Sequence, residues 1–176
     1  YFLFVGAIHP RKNVQRLLKA FEQFKTSNPS SEIQLIIVGT ELWTNSTVEI
    51  ALKDSIKNQI HFTGHLPLET LANIMAGATL FTFVPYFEGF GIPLVEAMKC
   101  GTPILSGNLT SLPEVAGDAA RYCDPMSVAD IALKLDELAN DPKLLQELSI
   151  KGLERSKLFS WDESAQKVWD VLEKHL

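Results

Sequence analysis

The sequence predicts a doubly wound α/β domain, a parallel sheet covered by helices on both faces. Three observations carry this. Short apolar runs such as Tyr1-Phe2-Leu3-Phe4-Val5 and Ile33-Gln34-Leu35-Ile36-Ile37-Val38 alternate with stretches of helical period. Strands buried on both faces read as near-continuous apolar runs, and alternation with helices implies parallel pairing. The length, 176 residues, fits one domain with a full core.

Strands are expected at 1–7, 33–39, 59–63, 79–84, 103–106 and 120–123, and helices at 13–27, 44–56, 67–76, 92–100, 127–140, 142–157 and 161–175. In the first helix, Val14, Leu17, Leu18, Phe21 and Phe24 share one stripe, with Arg16, Lys19 and Lys25 off it. Gly101 followed by Pro103 is a stop signal for the helix over 92–100. Asp141-Pro142 reads as an N-cap with proline at N1. Ser160-Trp161-Asp162-Glu163 reads as a capping box for the last helix. No internal repeat or low-complexity segment is evident.

Hydrophobic content of 46% and charged content of 21% describe an ordinary globular chain, and a net charge of −5 gives no support to nucleic-acid binding. The apolar runs are far too short to span a membrane. Cys100 and Cys123 lack metal-ligand spacing and read as reduced, buried thiols of a cytosolic protein. His9, His61, His65 and His175 form no metal spacing either. Trp43, Trp161 and Trp169 read as packing residues. The chain opens at Tyr1, already inside a strand pattern, and is expected to be a domain cut from a longer protein.

In an open parallel sheet, ligands bind outside the carboxyl ends of the strands, where the strand order reverses. Five loops lie at that edge: 6–13, 39–43, 64–67, 85–91 and 106–113. Each contains glycine. The richest is Glu88-Gly89-Phe90-Gly91-Ile92-Pro93-Leu94-Val95-Glu96, two carboxylates with seven residues between them. It joins a strand to a helix, so its turn offers backbone N–H groups at a helix N-terminus, an anion site. Glu96 falls roughly 7–8 Å further along the axis at about 1.5 Å per residue, the span from a diphosphate to the ribose of one nucleotide. The first loop places Arg11 and Lys12 after the first strand. That pair suits a diphosphate, although on its own it also fits a solvated surface. The glycines match neither a dinucleotide fingerprint, which would need glycine in place of Leu94, nor a P-loop.

These residues resemble the C-terminal, nucleotide-sugar-binding domain of retaining GT-B glycosyltransferases, a family that includes sucrose synthase and bacterial mannosyltransferases. The resemblance runs from Phe4-Val5-Gly6 through Phe159-Ser160-Trp161. It is carried by the Glu88–Glu96 motif with Gly-Phe-Gly-Ile-Pro inside, by Pro10-Arg11-Lys12-Asn13 and by the segment over 111–120. It implies a Rossmann-like domain over 1–158 and a C-terminal helix over 159–176 that packs toward an N-terminal acceptor domain.

It also implies roles. Lys12 binds the donor diphosphate, with Gly6 and Gly89 beside it. Glu88 hydrogen-bonds the donor sugar, and the amides of Phe90 and Gly91 hold phosphate oxygens. Glu96 takes the ribose hydroxyls, Ile92, Leu94 and Val95 pack near the nucleoside, and the loop with His65 and Leu66 lies along the base. Many members carry Gly-Arg after the first strand, where this chain has Gly6-Ala7. Arg11 is expected to supply the missing charge, so the catalytic set is Glu88, Lys12 and Arg11.

The implied reaction is hexosyl transfer, with mannose the favoured hexose, from a UDP- or GDP-sugar, without metal or other cofactor. The implied acceptor is a saccharide or lipid-linked molecule held by the other domain, through which any membrane contact would also run. The expected location is the cytoplasm at the inner membrane face, in polysaccharide synthesis. A GT-B phosphorylase, a nucleotide-sugar epimerase or hydrolase, and a non-catalytic sugar-nucleotide-binding module remain alternatives.

Overall fold

The structure, a computed structural model, describes residues 1–40 and 54–175. Six strands, β1 (Phe2–Val5), β2 (Leu35–Val38), β3 (Ile60–Gly64), β4 (Leu80–Phe83), β5 (Ile104–Gly107) and β6 (Ala120–Cys123), form one sheet in the order β3-β2-β1-β4-β5-β6. Every pairing is parallel. β1 and β4 are neighbours although most of the first half of the chain lies between them. The strand order reverses there, so the loops leaving β1 and β4 diverge around a crevice at their carboxyl ends.

The helices are α1 (Val14–Ser27), α2 (Asp54–Lys57), α3 (Leu68–Ala76), α4 (Ile92–Lys99), α5 (Leu112–Ala116), α6 (Val128–Ala139), α7 (Pro142–Ser156) and α8 (Trp161–Glu173). α1 packs on α6, and α4 packs on α5 and α7. Right-handed crossovers leaving the switch point in opposite directions put α1 and α4 on opposite faces of the sheet. The helix expected at 44–56 falls largely on residues 41–53, outside the described residues, as does Trp43.

Aromatic rings fill the core. Phe2 meets Phe21 edge-on, with ring centroids 6.3 Å apart, while Phe81 and Phe83 stack at 5.8 Å. Each is wholly buried, and each such side chain contributes about 1.5–3 kcal/mol through the apolar surface it removes from water. The expected stripe of α1 (Val14, Leu17, Leu18, Phe21 and Phe24) is buried throughout.

Lys25 departs from its expected place off that stripe. It is 4% exposed, and its ammonium donates to the carbonyls of Ser31 and Ile33. The long stem lies over apolar surface while the head satisfies carbonyls in the turn before β2. Desolvation by that burial lowers its pKa.

The N-caps expected at Asp141 and Ser160 are realised, the second as the serine half of the expected capping box, without the reciprocal contact from Glu163. The Asp141 carboxylate accepts from Leu144 N at 3.0 Å, and Ser160 Oγ accepts from Glu163 N at 3.3 Å. Gly101, at φ 69°, ends the chain's excursion through α4.

Short α5 and the 3-10 turns at Pro10–Lys12 and Gly117–Ala119 were not expected, because one turn is too short to show periodicity. α5 is held from a distance by Arg155, whose guanidinium donates to Val115 O and Glu114 O at 2.6 Å each.

Two assignments are corrected. Trp161 and Trp169 are 74% and 52% exposed, because α8 buries no residue against the described residues. Cys123 is buried, but Cys100 is only partly so.

Candidate functional site at the switch point

The loop leaving β1 turns through the 3-10 segment Pro10–Lys12, capped by His9, whose Nδ1 accepts from Arg11 N at 3.2 Å. Asn13 follows in the left-handed region at φ 60°, a conformation asparagine tolerates better than most residues. Its buried carboxamide donates to Val84 O and to Pro125 O, both at 2.8 Å. One side chain therefore ties together the loops after β1, β4 and β6. Tyr86 N adds a bond to Arg11 O at 2.8 Å.

This tie brings the two cations onto the motif. Arg11 NH1 lies 2.8 Å from Glu88 Oε1, and Lys12 Nζ lies 2.6 Å from the same oxygen. The Lys12 and Glu88 side chains are each 10% exposed and Arg11 is 47% exposed. Solvent therefore screens the inner pair far less than an ordinary surface ion pair. Lys12 also sits over the Phe83 ring, 4.9 Å from its centroid. Gly6 faces it: a Cβ there would come within 3.8 Å of Lys12 Nζ.

A second clamp comes from the loop after β5. Glu88 N donates to Thr110 Oγ1 at 3.2 Å, and Ser111 Oγ lies 3.0 Å from both Glu88 O and Phe90 O. Thr110 is held at φ 56°, which costs a β-branched residue about 1–2 kcal/mol. Such strain clusters at functional sites. A Ser111→Ala substitution is expected to cost about 1 kcal/mol of stability as the 88–90 turn loosens, which thermal melting checks.

α4 begins directly after this turn. Its N-cap is Gly91 at φ 97°, which has no side chain to cap the helix; Pro93 has no N–H and Leu94 N donates to Gly91 O at 2.9 Å, so the donors left for an anion are the amides of the turn that leads into α4. Leu94 is buried beneath the turn, and Gly89 has open space around its Cα.

Glu96 lies one turn further on. It lines a cleft of about 570 Å³ with Phe90, Ile92 and Val95 on the α4 side and Phe159 and Trp161 on the α8 side. Burial pushes its carboxyl pKa up. The folded pKa exceeds the unfolded one, so the associated stability is full below the ordinary carboxylate range and is lost as pH rises through the folded pKa. A Glu96→Gln variant is expected to melt higher than the parent at pH 7.5, with the difference gone near pH 4, because glutamine mimics the neutral acid. Melting curves at the two pH values check this.

His65 and Leu66 follow β3 at the same edge of the sheet. His65 is exposed, and Leu66 packs partly on the core. Gly39 N donates to Gly64 O at 2.9 Å, joining that loop to the end of β2.

Sequence reasoning did not single out Asn13, Thr110 or Ser111 as site residues. The signals were present in retrospect: asparagine directly after a turn, and a Thr-Ser pair before Leu-Pro at a strand's carboxyl end.

The parallel sheet and the carboxylate motif at its switch point define a doubly wound domain of GT-B type. The glycosyl transferases group 1 model matches residues 1–155, and the chain belongs to that family. It is 34% identical over 163 residues to the O-antigen chain mannosyltransferase B of Escherichia coli, covering 92% of this chain and 42% of that protein. The chain thus spans about two-fifths of the length of that relative.

Among solved structures, Anabaena Alr3699/HepE in complex with UDP and glucose superposes with a TM-score of 0.85 at 18% identity, covering 99% of this chain and 48% of that one. The C-terminal domain of a glycosyl transferase group 1 family protein, LpcC, from Francisella tularensis has a TM-score of 0.76 at 22% identity. That match covers 90% of this chain and 85% of that domain.

Proposed function

We propose that this chain is the donor-binding half of a retaining glycosyltransferase that moves a hexose, mannose in the leading case, from a nucleotide-diphospho-sugar to an acceptor. The observation that carries the reading is the meeting of Arg11, Lys12 and Glu88 beside the open N-terminus of α4. Membership of the group 1 family supports glycosyl transfer, and the mannosyltransferase relative supports the sugar.

In this mechanism the diphosphate binds against Arg11, Lys12 and the amides of Phe90 and Gly91 ahead of α4. Their fixed charges and dipoles stabilise the negative charge that grows on the leaving group, in the role a metal ion plays in other transferases. Glu88 lies beside the sugar, accepts from its hydroxyls and favours the positive charge that builds at the anomeric carbon. Glu96 accepts from the ribose. Val95 and the loop carrying His65 and Leu66 border the nucleoside.

The acceptor, a saccharide or a lipid-linked molecule, is bound by a second domain, and the apolar face of α8 docks there. The setting is polysaccharide synthesis at the cytoplasmic face of a membrane, reached through that second domain.

The test is calorimetric titration of the chain with UDP, GDP and ADP in the absence of metal, with Glu96→Ala alongside. Binding of one nucleotide, weakened in the variant, is the expected result and names the base. A strict need for Mg²⁺ or Mn²⁺ in that binding would count against the charge assignment.

A further inference from the structure

We propose that Glu88 is also a specificity-determining residue that sets the site against bare nucleoside diphosphate, so that the intact donor is preferred over the spent product. The inference rests on the donor-binding reading above and adds a second role for the carboxylate.

The geometry is that of an internal anion seated where the external one must go. A single oxygen, Glu88 Oε1, accepts from both Arg11 NH1 at 2.8 Å and Lys12 Nζ at 2.6 Å. Both cations of the first loop are therefore engaged by one carboxylate in the free protein. The backbone of Glu88 is pinned on both sides, its amide donating to Thr110 Oγ1 and its carbonyl accepting from Ser111 Oγ. These bonds hold the backbone in place, so the carboxylate leaves the cations by rotating its own side chain. With Lys12 and Glu88 each 10% exposed, water does little to weaken the contact or to soften repulsion between Glu88 and an incoming phosphate.

A diphosphate must therefore displace Glu88 Oε1 from Arg11 and Lys12 or settle next to a like charge. The two kinds of ligand differ in what they return to the displaced carboxylate. A nucleotide-sugar brings hydroxyl donors to a group that is acceptor-only when ionised. A bare nucleoside diphosphate brings none, and leaves a nearly buried carboxylate facing phosphate oxygens. Specificity is a difference of affinities, and a repulsive element against the wrong ligand produces it as effectively as an attraction for the right one. Once the sugar has been transferred, Glu88 loses its hydroxyl partners and returns to the cations, which favours departure of the nucleoside diphosphate.

The experiment is calorimetric titration of the parent chain, Glu88→Gln and Glu88→Ala with GDP, UDP and inorganic pyrophosphate, and with GDP-mannose and UDP-glucose. Melting curves establish that each variant is folded. The dissociation constant of both variants for the nucleoside diphosphate is expected to fall at least tenfold, equivalent to about 1.4 kcal/mol, with pyrophosphate following the same trend. The nucleotide-sugar is expected to gain much less, so the parent's preference for donor over product narrows. Alanine separates loss of charge from any new contact made by the glutamine amide.

Unchanged or weaker nucleoside diphosphate binding in both folded variants, with binding intact in the parent, overturns this inference and leaves the donor-binding reading standing. Absence of nucleotide binding in the parent and in every variant overturns that reading and this inference with it. Binding detected in the Glu88 variants alone is the expected result in its extreme form.

Discussion

On the donor-binding reading proposed above, replacing Lys12 by alanine is expected to abolish nucleoside diphosphate binding by this chain and to lower transfer by the proposed full-length enzyme about 10²–10³-fold, the range found when one preorganised charge-stabilising donor is removed. The argument is geometric. Lys12 Nζ is nearly buried, 2.6 Å from Glu88 Oε1 and over the Phe83 ring. It is the inner of the two cations, since Arg11 remains 47% exposed. Truncation leaves Glu88 with only the outer, better hydrated partner, and a buried carboxylate that loses a partner is costly.

Arginine is a poor substitute. Its planar fork is larger than an ammonium, and Lys12 Nζ is held as a compact head between Glu88 Oε1 at 2.6 Å and the Phe83 ring at 4.9 Å. Calorimetry with GDP and UDP reads the result, and nucleotide affinity equal to the parent's would remove Lys12 from the mechanism.

Gly39→Ala is expected to have the largest effect on stability. Gly39 sits at φ 147°, and a Cβ there would lie 2.0 Å from Gly6 O and 2.7 Å from Gly6 C. These atoms belong to backbone and cannot swing aside like the end of a flexible side chain. Relief requires separating the ends of β1 and β2, which also carry the bonds Gly6 N to Val38 O and Gly39 N to Gly64 O, each 2.9 Å. A left-handed conformation together with a main-chain clash places the cost at about 3 kcal/mol or more. For a chain of this size that corresponds to a fall in melting temperature of about 6–12 °C. The same displacement moves the first loop, so Arg11 and Lys12 shift with it and nucleotide binding weakens. A melting temperature within about 2 °C of the parent's would show that the β1–β2 ends are not packed this closely.

Much of this was legible in the sequence because the signals are local. All six strands were expected near the positions they occupy, since a strand buried on both faces needs an unbroken apolar run. The start of α4 followed from a glycine turn ahead of Ile92-Pro93, and the caps at Asp141 and Ser160 followed from two or three residues each.

Where local signals misled, a distant contact decided. Lys25 lies off the apolar stripe of α1, yet it is buried because carbonyls of the following turn reach back to its ammonium. Trp161 and Trp169 have the composition of core residues, yet they are exposed. A helix's own pattern says which face is apolar but not whether anything covers it. Short α5 depends on Arg155, about 40 residues further along the chain, and no window of local period contains that contact.

The sequence by itself determined the alternation of strands and helices and the turn chemistry of the Glu88–Glu96 segment. It also determined which residues were available to meet a diphosphate, because periodicity, capping and glycine placement act over a few residues. Only the tertiary structure decided that Arg11 and Lys12 close on one oxygen of Glu88, 77 positions away for Arg11. It also decided that Asn13 gathers three loops and that Thr110 and Ser111 pin the motif. Those contacts exist because β1 and β4 are adjacent, and the order of strands in a sheet is set by how the whole set of apolar faces packs, not by any short stretch of chain.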